Sequence, residues 1–213
     1  MWSSEEPCVV ELITAEDLMK KLVYTATNPV KDHLVERVHQ WPGPKFVQAL
    51  RSGTVMRAKR PRHFFRQNGT MPESVELKLG LPENFPNREE FLAELERRIA
   101  AEEERITSER RKTGRGVVGR SRILRQSWRD TPTSFDERRG LRPRVAAGNK
   151  WARIAALQRN KEFGRAHKSS RLNWLAGIPT VFPFGTYWLK RFANVPVEPA
   201  PPFPRFKFDD DFE

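Results

Sequence analysis

Lys20 and Lys21 stand four and three residues before Tyr24, so in a helix two ammonium groups fall within one turn of a phenol. A cation pair beside that hydroxyl suits an approaching anion, and the obvious candidate is a phosphate. The competing reading is a surface tyrosine on a lysine-rich face. Tyr187, the other tyrosine, sits among Phe184, Trp188 and Phe192, where aromatic packing is the ordinary explanation.

The element that must carry Tyr24 is well marked. Thr14 with an acid three residues on is a capping-box pattern, which predicts a helix start. Pro29 disfavours helical geometry at Asn28, which predicts its end. Wound as a helix, Ala15, Leu18, Met19, Leu22, Val23 and Ala26 share one side, and Tyr24 points the other way beside Lys20, Lys21 and Thr27.

The residues from Tyr24 through Asn28-Pro29-Val30-Lys31, then His33-Leu34-Val35 and Trp41-Pro42, resemble the stretch around the nucleophilic tyrosine of REP-associated tyrosine transposases, which belong to the HUH single-tyrosine transposase superfamily. The shared pattern is a tyrosine four residues before Asn-Pro-Val, a basic residue, a Leu-Val pair and Trp-Pro. The Arg- and Trp-rich remainder looks like the extension that some bacterial members carry. The resemblance implies DNA transposition of the insertion-sequence type. The tyrosine oxygen attacks a phosphodiester of single-stranded DNA to give a 5′-phosphotyrosine and a free 3′-hydroxyl, with Mg²⁺ or Mn²⁺ polarising the phosphate. By position it implies Tyr24 as the nucleophile and Asn28, one turn later, near the metal as an assisting ligand. Lys31 fills the basic position of the pattern and joins Lys20 and Lys21 as a residue expected to contact DNA.

One departure is large. The family's metal site is a His-hydrophobic-His pair on a strand upstream of the tyrosine, and none of the 23 residues before Tyr24 is histidine. His33, His39, His63 and His167 are the four histidines, and no two have the required spacing. The expectation is therefore the C-terminal portion of a longer transposase, inactive alone unless a separate polypeptide supplies the pair.

Composition sets the wider bounds. A net charge of +12 and a pI near 10.3 favour polyanions, whether nucleic acid, an anionic membrane surface or acidic proteins. No run approaches the length of a membrane span and no signal peptide is evident, so a cytoplasmic protein without membrane or small-molecule partners is expected, nucleoid-associated when bound to DNA. Cys8 is the single cysteine, which excludes an internal disulfide and a cysteine-based zinc cluster. A chain with 38% hydrophobic residues, 31% charged residues and 17 prolines has a modest core for its length. The expected fold is mainly α with a small β-hairpin, a truncated α+β transposase with an extended, partly disordered basic C-terminal region. Whether it forms a homodimer is left open.

In order along the chain, residues 1–44 read as the remnant of a catalytic domain carrying the tyrosine helix. Cys8 to Ile13 is a strand-like run that fits a leftover edge strand of a missing sheet. Residues 45–112 read as a hairpin plus a helical arm. The first hairpin strand, Val55 to Phe65, interleaves Arg57, Lys59, Arg60 and Arg62 with Phe64 and Phe65, which suits phosphate contact and base stacking as well as it suits a charged edge strand. Asn87 opens a helix to about Lys112 with an apolar seam of Phe91, Leu92, Leu95, Ile99 and Ile106. Residues 113–148 read as a flexible basic linker that contacts nucleic acid through Arg115, Arg120, Arg122, Arg125 and Arg129, with Trp128 and Trp151 as stacking surfaces. A merely solvated tract is the alternative. Residues 149–196 read as a helical region packed through Trp151, Ile154, Ala155, Leu172 and Leu175, and residues 197–213 as a disordered tail. The reading that competes with a transposase is a non-catalytic basic nucleic-acid-binding protein.

Overall fold

The computed structural model describes residues 9–43, 45–61, 66, 68–81, 85, 87–127, 129–131 and 143–201. Its elements are β1 (Glu11–Leu12), α1 (Ala15–Lys31), a 3-10 turn (Val38–Gln40), α2 (Phe46–Ser52), β2 (Met56–Lys59), β3 (Ser74–Leu77), α3 (Arg88–Lys112), α4 (Arg120–Arg125), β4 (Val145–Ala146), α5 (Lys150–Leu175) and α6 (Tyr187–Ala193). The chain is thus mainly helical, as its composition and periodicity predict, with one small antiparallel strand pair and one short parallel pair among the described residues. Among the described residues no helix is long and apolar enough to cross a membrane. The chain divides into two compact units, Met1–Leu18 with Arg138–Glu213, and Met19–Glu137. This division cuts across the five consecutive segments expected from composition.

Thr14 and Asp17 start α1 as their spacing requires. Asp17 N–H donates to Thr14 Oγ1 at 3.1 Å, and Thr14 donates to Asp17 Oδ2 through Oγ1 at 2.6 Å and through its N–H at 3.2 Å. The expected stop at Asn28 is overturned, because α1 runs through Pro29 to Lys31. The cause is tertiary. Val30 is fully buried against Val35 and Ile106, and the Pro29 carbonyl accepts from the N–H groups of Leu34 at 2.9 Å and Val35 at 3.3 Å. Burying each such side chain is worth about 1.5–3 kcal/mol, so three together outweigh the roughly 3 kcal/mol of an internal proline. Thr27, expected on the lysine face, is also buried, and its Oγ1 donates to the Val23 carbonyl at 2.9 Å.

In the second unit, Val38, Trp41 and Ile123 pack around the Val30, Val35 and Ile106 cluster. Asn87 caps α3 by accepting from the N–H groups of Glu89 and Glu90. The expected seam is confirmed at Phe91, Leu95, Ile99 and Ile106, all buried, with Leu92 half-buried. Glu103 of α3 fixes the turn before it, accepting from Val38 N–H at 2.5 Å and Arg37 Nη1 at 3.3 Å. Gly53 ends α2 at φ +62°, a left-handed cap that a side chain would strain. The segment before α4 is no free linker: Val118 N–H bonds the His33 carbonyl and Gly119 N–H the Leu34 carbonyl, each at 2.9 Å. Together with Ile123, these bonds correct the expectation of a flexible tract at 118–123.

Strands β2 and β3 pair antiparallel with Met56 opposite Leu77 and Lys59 opposite Ser74. The strand is shorter than the expected Val55 to Phe65, and residues 62–65 lie outside the described residues. Every residue of both strands is exposed, so neither face packs on a core.

In the first unit, Glu11–Leu12 pairs in parallel with Val145–Ala146. The partner of the supposedly orphaned edge strand therefore lies in this chain, inside the tract expected to be linker, and Val145 is buried. Asp17 Oδ1 accepts from Gly148 N–H at 2.7 Å, and Arg159 pairs with Glu11 at 2.6 Å. Asn149 caps α5. The positions expected to pack on it, Trp151, Ile154, Ala155, Leu172 and Leu175, are exposed, and Ala156 is the residue it buries. Phe182 is buried against His167 and Trp174. It also bridges to Val197, and Glu198 N–H donates to its carbonyl. Order therefore extends into the segment expected to be a disordered tail, whose residues 202–213 lie outside the described residues.

Candidate nucleic-acid interface

Tyr24 is 47% exposed on α1. Lys21 Nζ lies 4.7 Å from its ring centroid and Lys31 Nζ 5.4 Å. Lys21 comes from one turn before. Lys31 reaches the ring because α1 continues past Pro29, placing position 31 two turns beyond 24 on the same face. Exposed cation–π interactions of this kind are worth about 0.5–1 kcal/mol each, enough to bias two flexible chains toward the phenol. Lys20 is exposed on the same helix. Asn28 is half-buried, and its carbonyl accepts from Asp32 N–H at 2.9 Å.

The residues present do not fit the Mg²⁺ or Mn²⁺ site implied by the resemblance. Among the described residues no three His, Cys, Asp or Glu side chains come together as a metal-holding group, and one amide at Asn28 is not a site for a hard divalent cation, which takes several oxygen ligands. His33 is half-buried after α1, His39 is exposed in the 3-10 turn, and His167 packs against Phe163 and Phe182. His63 lies outside the described residues.

The remaining residues expected to touch DNA divide. Arg57 is engaged across the hairpin, its Nε 2.8 Å from Glu76, and Arg60 Nη1 donates to the Met71 carbonyl at 2.8 Å. Lys59 is exposed and Arg62 lies outside the described residues. Arg115, Arg120, Arg122, Arg125 and Arg129 are all exposed, and Arg125 Nε donates to the Ser121 carbonyl. Trp151 is exposed with Lys150 Nζ 5.7 Å from its ring, and Trp128 lies outside the described residues.

Two features escaped sequence reasoning. In the first unit, α5 and α6 enclose an open groove of about 690 Å³ lined by Phe163, His167, Trp174, Tyr187, Trp188 and Phe192, with Arg171 at its wall. Tyr187 is 71% exposed there, which corrects the expectation that it is a packing residue. In the second unit, the C-terminal turns of α3 border two small polar clefts that share Arg110 and Arg115. Arginines that end a helix read in sequence as complements of the helix dipole, and nothing in their spacing says that one of them turns inward. The chain matches no family model, no curated protein and no solved structure.

Proposed function

We propose that this chain is a transposase-like, DNA-binding protein of the REP-associated tyrosine type, with Tyr24 as the residue that joins to DNA. The observation that supports this reading is the half-exposed Tyr24 ring with the ammonium groups of Lys21 and Lys31 beside it. A phosphodiester of single-stranded DNA lies against those ammonium groups, which offset its charge as Tyr24 Oη gives up its proton to water and attacks. Tyr24 Oη forms a bond to phosphorus, the bond from phosphorus to the 3′ oxygen breaks, and the leaving oxygen takes up a proton as a free 3′-hydroxyl. The 5′-phosphate remains on the tyrosine. The chain is read as binding DNA alone and as joining it when a separate polypeptide supplies the histidine pair that the resemblance implies. A cytoplasmic location, with nucleoid association through DNA, follows from the same reading.

The test is incubation with a stem-loop single-stranded DNA and Mg²⁺ or Mn²⁺, with and without a histidine-pair domain added in trans, scored for a denaturation-resistant adduct. An adduct that Tyr24→Phe abolishes supports joining. If no adduct forms in trans and Lys21→Ala with Lys31→Ala leaves binding unchanged, the Tyr24 face has no part in DNA handling.

A second reading, a non-catalytic nucleic-acid-binding protein, draws on the exposed arginines at 115, 120, 122, 125 and 129. It is favoured if binding is salt-sensitive, falls on substituting those arginines, and shows no adduct under any condition.

A further inference from the structure

Arg110 is 7% exposed, and an arginine stays charged wherever it is placed. Its Nη2 faces a Glu36 oxygen at 3.6 Å, longer than a hydrogen bond, across a carboxylate that is itself more than half exposed. Its Nη1 is buried with no hydrogen-bond partner among the described residues. Buried polar atoms are nearly always paired, so each exception asks for a partner from outside.

Thr107 Oγ1 and His33 Nδ1 are likewise buried and unpartnered. Arg110 lines two clefts, one with Thr107 and the other with His33. Thr107, Arg37, Arg111, Arg110 and Arg115 line one cleft of about 280 Å³, and His33, Lys31, Arg105, Arg110 and Arg115 line the adjoining one of about 220 Å³. The first cleft sets four guanidinium groups against the single carboxylate of Glu36, and the second sets three guanidinium groups and an ammonium against Glu109. Arg37 and Arg105 are partly neutralised by Glu103 and by Glu102 and Glu109, whereas Arg111 and Arg115 stand exposed at the rim.

We propose that this double cleft is a phosphate-binding site for a nucleic-acid strand. A tetrahedral oxyanion in the first cleft offers acceptors to Arg110 and to the Thr107 hydroxyl, and the forked donors of Arg111 and Arg115 match phosphate geometry. A carboxylate ligand would satisfy fewer of these donors. The site stands apart from any reaction at Tyr24. It adds to the DNA reading because Lys31 both lines the second cleft and lies beside the Tyr24 ring, so a strand with one phosphate in the cleft passes the phenol.

The experiment has two arms, both on the full chain. Inorganic phosphate, compared with acetate and chloride at equal ionic strength, is expected to raise the thermal midpoint of the wild type and to do so less in Arg110→Gln. A fluorescein-labelled single-stranded oligonucleotide read by anisotropy is expected to lose about tenfold in affinity in Arg110→Gln and in the rim double variant Arg111→Ala with Arg115→Ala. The rim variant is the safeguard if Arg110→Gln fails to fold. Equal protection by acetate overturns the proposal, and so does wild-type oligonucleotide affinity in the rim variant, including the case where inorganic phosphate alone binds. Adduct formation at Tyr24 is scored in a separate assay, so it can fail while this site stands.

Discussion

Lys31 lies two turns beyond Tyr24 on one face of α1, its Nζ 5.4 Å from the phenol ring, and it gets there only because the helix crosses Pro29. The chain therefore spends core packing at Val30 to set a surface charge beside an aromatic ring. Replacing Lys21 and Lys31 together by alanine is expected to weaken single-stranded DNA binding and to flatten its logarithmic salt dependence by about 0.7 for each phosphate that the two ammonium groups neutralise. Circular dichroism should be unchanged. A salt slope identical to wild type would remove both lysines from the interface.

Val30→Ala is expected to destabilise the Met19–Glu137 unit by about 2 kcal/mol, from lost burial and the cavity left against Val35 and Ile106. The last turn of α1 then loses what holds it past Pro29. Urea unfolding gives the stability change, and hydrogen exchange at the N–H groups of Leu34 and Val35, bonded to the Pro29 carbonyl, should quicken more than exchange in α3.

Thr14→Ala removes one cap of α1 and is expected to cost about 1 kcal/mol. Asp17→Ala should cost more, because Asp17 also accepts from Gly148 N–H across the fold of the first unit. Chemical denaturation of the two variants side by side checks the order.

Glu94 is held at a pKa of about 2, below its ordinary 4.5, chiefly by the hydrogen bond from Arg97 and then by Arg98. A depressed carboxylate stabilises the folded state above the unfolded value and loses that contribution as pH falls from 4.5 toward 2. Arg97 is exposed and Arg98 partly covered, and with solvent screening the expected worth is about 0.5–1 kcal/mol. Glu94→Gln should leave a shallower loss of stability between those pH values, and added salt should shrink the difference.

Much of the helical framework was readable beforehand because its signals are local. Thr14 with Asp17 and Asn87 with Glu90 announce helix starts within one turn, and the spacing of Phe91, Leu95, Ile99 and Ile106 is enough to define a buried seam. The misreadings all involve partners distant in sequence. Pro29 reads as a stop until Val35 and Ile106 are known to cover Val30. Glu11 and Leu12 read as unpaired until Val145 and Ala146 fold back beside them. Trp151, Ile154, Leu172 and Leu175 read as core because they are large and apolar, yet α5 offers them to solvent. The nearness of Lys21 to the Tyr24 ring was legible from their spacing. Arg110 was not, since its direction depends on which side of α3 meets the turn after α1.

The exposed rings of the first unit have a spectroscopic consequence. Trp151 and Trp188 face water, so their emission should already lie toward the red in the native protein and yield readily to iodide quenching. Intrinsic fluorescence of these indoles will respond weakly when the first unit unfolds and strongly when something covers its outer face, which makes them reporters of encounter rather than of folding.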